Sequence, residues 1–360
     1  MGDRLMRMKL NWGMHSMKKR QSATIKTGAL ALILAFGAAL AGCGADTDTK
    51  TAAADDTAAA QTAATENDPQ NNSAESDTQA AEGETRVVKG EFGDVTIPAH
   101  PQRVAGIYME DYMVALGVTP VVQWYHPSWG IQDYLNLDVP QFDITGSPEA
   151  LLAQQPDLIM VDGGADQAAY ETYSKIAPTY RLPESMLQDS KQILLAVADA
   201  LGMPEKGEEV LAAYEKTVAE DKAKLRETVG DETVAVVRLN GGEKTMALFG
   251  IKNRYTGSLF SELGLTPHPL IGEMEDFQQV VSEEGLADLD ADHIFIFPAS
   301  GDWDSDENKE AEKILDRPVW QSLKAVQSGH VYKVERSYWQ SGGIRANLLK
   351  FEDVMKHLAP

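Results

Sequence analysis

Residues 204–229, PEKGEEVLAAYEKTVAEDKAKLRETV, carry one uninterrupted helical pattern with both ends marked. Pro204 stands at the first helical position, where its missing N–H costs nothing, and Gly230 follows the last turn. Glu205, Glu208 and Glu209 load the first turns and Lys222, Lys224 and Arg226 the last, so the charges complement the helix dipole. Val210, Tyr214, Val218, Leu225 and Val229 share one narrow stripe among mostly charged positions. At about 1.5 Å per residue the helix spans about 39 Å, more than the width of a small domain. A helix this long and polar either lies on a surface or bridges two bodies. The flanking sequence decides between the two.

The 360 residues fit two domains with extra segments. Beyond residue 42 the chain carries 25 basic against 54 acidic residues, and a net charge of −29 repels nucleic acid and anionic membrane alike. Cys43 is the one cysteine, which excludes a disulfide within the chain and a Cys-based zinc site. It follows a basic segment (residues 17–20) and a short apolar run, GALALILAFGAAL at 28–40. That run is too short to span a bilayer and has the form of a secretory signal; Met17 is a plausible true start. Leu40-Ala41-Gly42-Cys43 resembles the lipobox of bacterial lipoproteins, which implies a signal peptide over 1–42 and a diacylated Cys43. Two acyl chains anchor a protein stably where one does so marginally. Residues 44–85 contain no Val, Ile, Leu, Met or aromatic residue and ten acids against one Lys. Such a segment cannot bury enough apolar surface to offset its ordering entropy, so 43–85 reads as a lipidated Cys and disordered acidic tether.

From Arg86 onward apolar runs alternate with helical patterns. Strands are predicted at 104–107, from Pro120, at 158–161, at 234–239, in MALFG, in HIFIF and at 331–334. Helices are predicted from about Asp111, over 186–201, 256–263 and 311–315, and over 345–357. An α/β lobe over 86–203 and another over 230–360 thus flank the helix at 204–229. Both contain a helix ending in Leu-Gly, and both a strand led by an acidic helix and Asp (QQPDLIMV, LDADHIFIF), a weak echo of one unit used twice. In open parallel sheets the ligand sits beyond the C-terminal strand ends, which makes the cleft between the lobes the default site.

IPAHPQRVAGI, SPEALLAQQPDLIM, VVSEEGLADLDADHIFIF and RPVWQSLKAVQSGHVYKV, with the long helix between them, resemble the iron–siderophore and cobalamin class of substrate-binding proteins of ABC importers. The likeness runs from Arg86 to Leu358. It implies two Rossmann-like lobes with central, mainly parallel sheets joined by one long interlobe helix, the class III periplasmic-binding-protein architecture, which limits opening and closing. It also implies a partner, an ABC permease with its cytoplasmic ATPase, met by exposed glutamates. The matching positions are Glu149 in Ser-Pro-Glu and Glu284 in Ser-Glu-Glu. From the residues alone, Glu149 only complements a helix dipole, worth about 0.3–1 kcal/mol.

The cleft candidates are aromatic. Tyr108 ends the first core strand, and Trp124, Tyr125, His126 and Trp129 crowd the loop after the second. The other lobe offers Arg238 at a strand end, Phe249, Trp303, Trp339 and Arg345, with Asn253 and Arg254 nearby. The WYHPSW run equally fits a satellite core under its loop, and Trp320 reads as packing. Arg238 ranks first among the arginines and Arg345 second, with Arg254 read as exposed. A ferric tris-catecholate carries three negative charges and needs several convergent cations. Many rings with one or two Arg suit a nearly neutral ferric hydroxamate; cobalamin, ferric citrate and haem stay open. A zinc or manganese receptor needs about four convergent His and carboxylate ligands. The six histidines beyond the leader form no HxH or HxxxH pair, and only His126 falls in a cleft loop. No nucleophile elbow, P-loop, dinucleotide fingerprint or Cys nucleophile marks an enzyme, although a chance carboxylate pair leaves a hydrolase formally open. The reading is a monomeric extracytoplasmic lipoprotein, held to the cell membrane by its lipid alone, that captures a ferric siderophore. It has no cofactor of its own beyond the iron chelate it carries.

Overall fold

The computed structural model describes residues 83–360, apart from Lys244 and the side chains of Glu283 and Glu284. The signal, Cys43 and the tether through residue 82 lie outside the described residues. Thr85, assigned to the tether, instead starts a strand and pairs with Pro98. Strand β1 (Thr85–Gly90) and β2 (Gly93–Pro98) form an antiparallel hairpin.

The first lobe is built on β3 (Val104–Ile107), β4 (Gln123–Tyr125), β5 (Gln141–Asp143), β6 (Leu158–Val161) and β7 (Thr179–Arg181). Every pairing among them is parallel, in the ladders β3-β6-β7 and β4-β5. The Val121 N–H joins the two groups by donating to the Val104 carbonyl at 2.9 Å. All four residues of β3 and of β6 are buried, as expected of strands covered on both faces.

The second lobe holds β8 (Thr233–Asn240), β9 (Thr245–Phe249), β10 (Thr266–Pro267), β11 (Gln278–Val281), β12 (His293–Pro298) and β13 (Val331–Lys333). The order is β11-β9-β8-β12-β13, with β10 beside the start of β8. β8, β10, β12 and β13 run parallel, whereas β9 and β11 are antiparallel, so this sheet is mixed. The short Asn240–Thr245 turn returns the chain as a hairpin, with no room for a crossover helix.

The interlobe helix spans Pro204–Thr228, with Pro204 in its first turn and Gly230 at φ +61° just beyond it. Tyr214 and Leu225 of the predicted stripe are buried. Gly207 faces the helix Ser190–Ala200 so closely that a Cβ would lie 2.6 Å from that of Ala198. This neighbouring helix begins later than residue 186, because Asp189 caps it by accepting from the Lys191 and Gln192 N–H groups.

One apolar cluster runs through both lobes. It joins Met109 and Met113, Ile193 and Val197, Tyr214 and Leu225, Val234 and Phe295, and Phe351 and Val354. Each fully buried side chain of this size contributes about 1.5–3 kcal/mol. The long helix is therefore not the sole link, since the final helix, Ile344–Leu358, also crosses the joint. Its N-cap is Gly343, which has no side chain, and its first N–H groups bond to the other lobe. Asp111 accepts from Arg345 N at 2.9 Å and Ala346 N at 3.0 Å. The Tyr134 hydroxyl donates to the same carboxylate at 2.7 Å. A Cβ at position 343 would stand 2.1 Å from the Asp111 Cγ, so only glycine admits this approach. Beneath it, fully buried Lys350 donates to the Ser341 and Tyr255 carbonyls, and burial depresses its ammonium to about 7.

Candidate functional site: the interlobe cleft

Where β3, β4 and β6 end they face the last part of β8 and the start of β11 across a cavity of about 630 Å³. This falls within the usual range of small-molecule sites. Tyr108 leaves β3 at φ +63°, a left-handed conformation that bulky side chains rarely adopt. Its ring packs on Trp124 at 4.9 Å. Burial, then the neighbouring Tyr255, raises the Tyr108 phenol well above its ordinary value, so it stays neutral. His126 and Trp129 stack at 3.8 Å on the rim, where Trp129 is 53% exposed.

The opposite wall carries the positive charge. Arg254 pairs across the cleft with Asp162, Nη1 to Oδ2 at 3.2 Å, and its guanidinium lies 5.7 Å over the Tyr108 ring. Burial works against that charge, but Asp162, Tyr255 and Tyr108 raise the Arg254 pKa above its usual value. Arg238 donates through Nε to Asn240 Oδ1 at 2.9 Å and rests 5.4 Å over the Phe249 ring. Arg336 donates to the Ala299 carbonyl at 2.9 Å and to the Trp129 carbonyl of the other lobe at 2.8 Å. Four polar atoms on the lining residues are buried without a partner among the described residues: Trp124 Nε1, Gln132 Oε1, Arg254 Nε and Gln340 Oε1. Unpaired buried polar groups are costly, and here all four belong to residues of the cavity wall. Among the described residues no group of three or more His, Cys, Asp or Glu side chains is arranged to hold a metal ion.

Of the sequence candidates, Tyr108, Trp124, His126, Trp129 and Arg238 line this cavity together. The other five do not. Tyr125 follows Trp124 on β4 and, by strand alternation, belongs to the opposite face. Phe249 is 1% exposed and packs on Phe297 at 5.4 Å, so it backs Arg238 from within the core. Trp339 is fully buried, stacked on Phe295 at 4.9 Å, with its Nε1 donating to Asp353 at 2.8 Å. Trp303 donates to the Val334 carbonyl at 3.0 Å and packs under Lys333, away from the cleft. Arg345 is exposed at the start of the final helix, where its N–H rather than its guanidinium is engaged. Arg254, read as exposed, takes the place given to Arg345, because the 250–257 turn folds back over the sheet end.

Arg336, Tyr255, Phe277, Gln132 and Gln340 line the cleft without having been foreseen. The strand-end rule that found Arg238, applied just past β13, points to Arg336. Nothing local marks the two glutamines. Glu149 is exposed and opens the helix Glu149–Leu152, and Glu284 lies in the helix Glu283–Leu286.

The periplasmic binding protein family model matches residues 112–338. The chain is 31% identical over 325 residues to an iron(3+)-hydroxamate-binding protein of Bacillus subtilis (strain 168), covering 86% of this chain and 90% of that one. It is 30% identical over 297 residues to a probable siderophore-binding lipoprotein of the same organism, covering 78% and 89%. A crystal structure from Bacillus subtilis of a periplasmic binding protein component of a Fep/Fec-like ferrichrome ABC transporter superposes with a TM-score of 0.63. That chain is 28% identical, and the match covers 75% of this chain and 99% of that one. Family model, relatives and shared two-lobed fold agree: the chain belongs to the periplasmic binding protein family, a family of substrate-binding proteins rather than enzymes.

Proposed function

We propose that this protein captures a ferric siderophore, with hydroxamate as its iron-binding chemistry, in the interlobe cleft and delivers it to an ABC permease with its cytoplasmic ATPase. The observation that carries the reading is the cleft itself. Aromatic residues from both lobes line it together with residues whose buried polar atoms lack partners among the described residues. The named activities of the relatives, iron(3+)-hydroxamate binding and probable siderophore binding, support the same class of cargo. The protein works outside the cytoplasmic membrane as a monomer without a resident cofactor. A signal over 1–42, a lipid on Cys43 and the acidic tether hold it there, and Glu149 and Glu284 meet the permease. Among the described residues no helix is long and apolar enough to cross a membrane.

Trp124 and Trp129 report directly on occupancy. Titration with ferric hydroxamates should quench tryptophan fluorescence saturably, while zinc and manganese salts leave it unchanged. Stabilisation by zinc or manganese alone, or turnover of a small substrate by the purified protein, would overturn the reading.

A further inference from the structure

The charge inside the cleft does not match a neutral cargo. Beyond residue 42 the chain carries a net charge of −29, a field that repels anions at long range. Yet three guanidiniums line one cavity. Arg254 has a partner in Asp162. Arg238 and Arg336 have no carboxylate within 4.0 Å among the described residues. Asp133 and Glu243 act on them only at longer range and are themselves exposed.

Both guanidiniums are fixed by neutral acceptors on their backbone-facing side. Arg238 is held through Nε by Asn240, and Arg336 through Nε and one Nη by the Ala299 and Trp129 carbonyls. The remaining Nη donors, two on Arg238 and one on Arg336, have no partner among the described residues. Burial disfavours the charged form of each, and the charge of Arg336 adds to that on Arg238. Two like charges held together, half-buried and uncompensated, are costly in the empty protein. A neutral chelate would offset their desolvation only through hydrogen bonds to its oxygens, without neutralising the charge. A carboxylate would accept from both.

Resting on the ferric-siderophore reading, we propose that the cargo is a net-negative ferric chelate presenting a carboxylate that does not bind the iron, and that Arg238 and Arg336 clamp this carboxylate. Ferric citrate and a ferric hydroxamate with a pendant carboxylate share this chemistry.

Two probes with one iron core isolate it: the ferric complexes of desferrioxamine B acylated at its terminal amine, with acetyl (neutral end) or with succinyl (carboxylate end). Wild-type protein should bind the succinyl complex at least about tenfold more tightly, the scale of a charge-assisted hydrogen bond. The preference should shrink with added salt, disappear in Arg238→Gln/Arg336→Gln and survive in part in Arg238→Lys. Equal or tighter binding of the acetyl complex by wild-type protein overturns this inference and leaves the siderophore reading standing. Binding of neither complex, nor of ferric citrate, overturns the siderophore reading itself. Because wild-type protein alone ranks the two probes, the result holds even if the double variant fails to fold. Ferric citrate as a third titrant separates the two sources: tight citrate binding with weak binding of both acyl complexes assigns the clamp to citrate and overturns hydroxamate as the iron-binding chemistry.

Discussion

Tyr108 holds a backbone conformation that costs a bulky residue about 1–3 kcal/mol. Such strain persists where surrounding structure enforces it, and here Trp124 on one side and Arg254 on the other fix the ring at the cleft wall. Tyr108→Gly should relieve the strain and lose the ring contacts, leaving stability within about 1 kcal/mol of wild type. Affinity for a ferric siderophore should fall more than tenfold. Urea denaturation and fluorescence titration separate the two effects. A variant destabilised by several kcal/mol with unchanged affinity would make Tyr108 a packing residue only. Single residues were legible in the sequence where one local rule sufficed. Tyr108 follows one apolar strand and Arg238 lies near the end of another, and strand ends face the cleft. Trp339 and Phe249 obey no such rule, because an aromatic near a strand end fits a core as well as a ligand wall.

At the scale of elements, the joint between lobes has two crossings. The long helix supplies a rigid span, and the final helix locks its N-terminus onto Asp111 of the other lobe. An N-cap from within a helix is worth about 1 kcal/mol. Asp111 also holds Tyr134 and is itself buried, so its removal leaves several buried donors unpaired. Asp111→Ala should therefore destabilise the protein by about 2–4 kcal/mol and widen the distribution of distances between spin labels placed one on each lobe. A loss of stability with an unchanged distance distribution would reduce Asp111 to a local cap. The long helix was legible because proline, glycine and charge asymmetry mark its ends in the chain itself. The cap was not, since 234 residues separate Asp111 from Arg345.

For the whole molecule, two crossings and a continuous core restrain any swing of the lobes. A restrained receptor signals less by changing shape than by presenting contacts at a set spacing. Glu149 and Glu284 are our proposed contacts, one in each lobe. The double substitution Glu149→Ala and Glu284→Ala should leave the fluorescence titration unchanged and abolish uptake of the iron complex by cells. Normal uptake would exclude these two positions as the docking pair. Paired charges at the two ends of an interface mainly set register and association rate, so a single substitution should slow uptake less than the pair.

The sequence alone determined the strand–helix alternation, the two lobes and the helix that joins them, because hydrophobic period, caps and breakers act over a few neighbouring residues. It also offered aromatic candidates for the cleft, without deciding which of them pack in the core. Only the tertiary structure decided the charge of that cleft. Arg238, Arg254 and Arg336 come from a strand, a turn and the start of a short helix in one lobe, and whether each meets a carboxylate depends on segments folding back across space. A count of arginines along the chain cannot register that Asp162 reaches Arg254 and no described carboxylate reaches the other two.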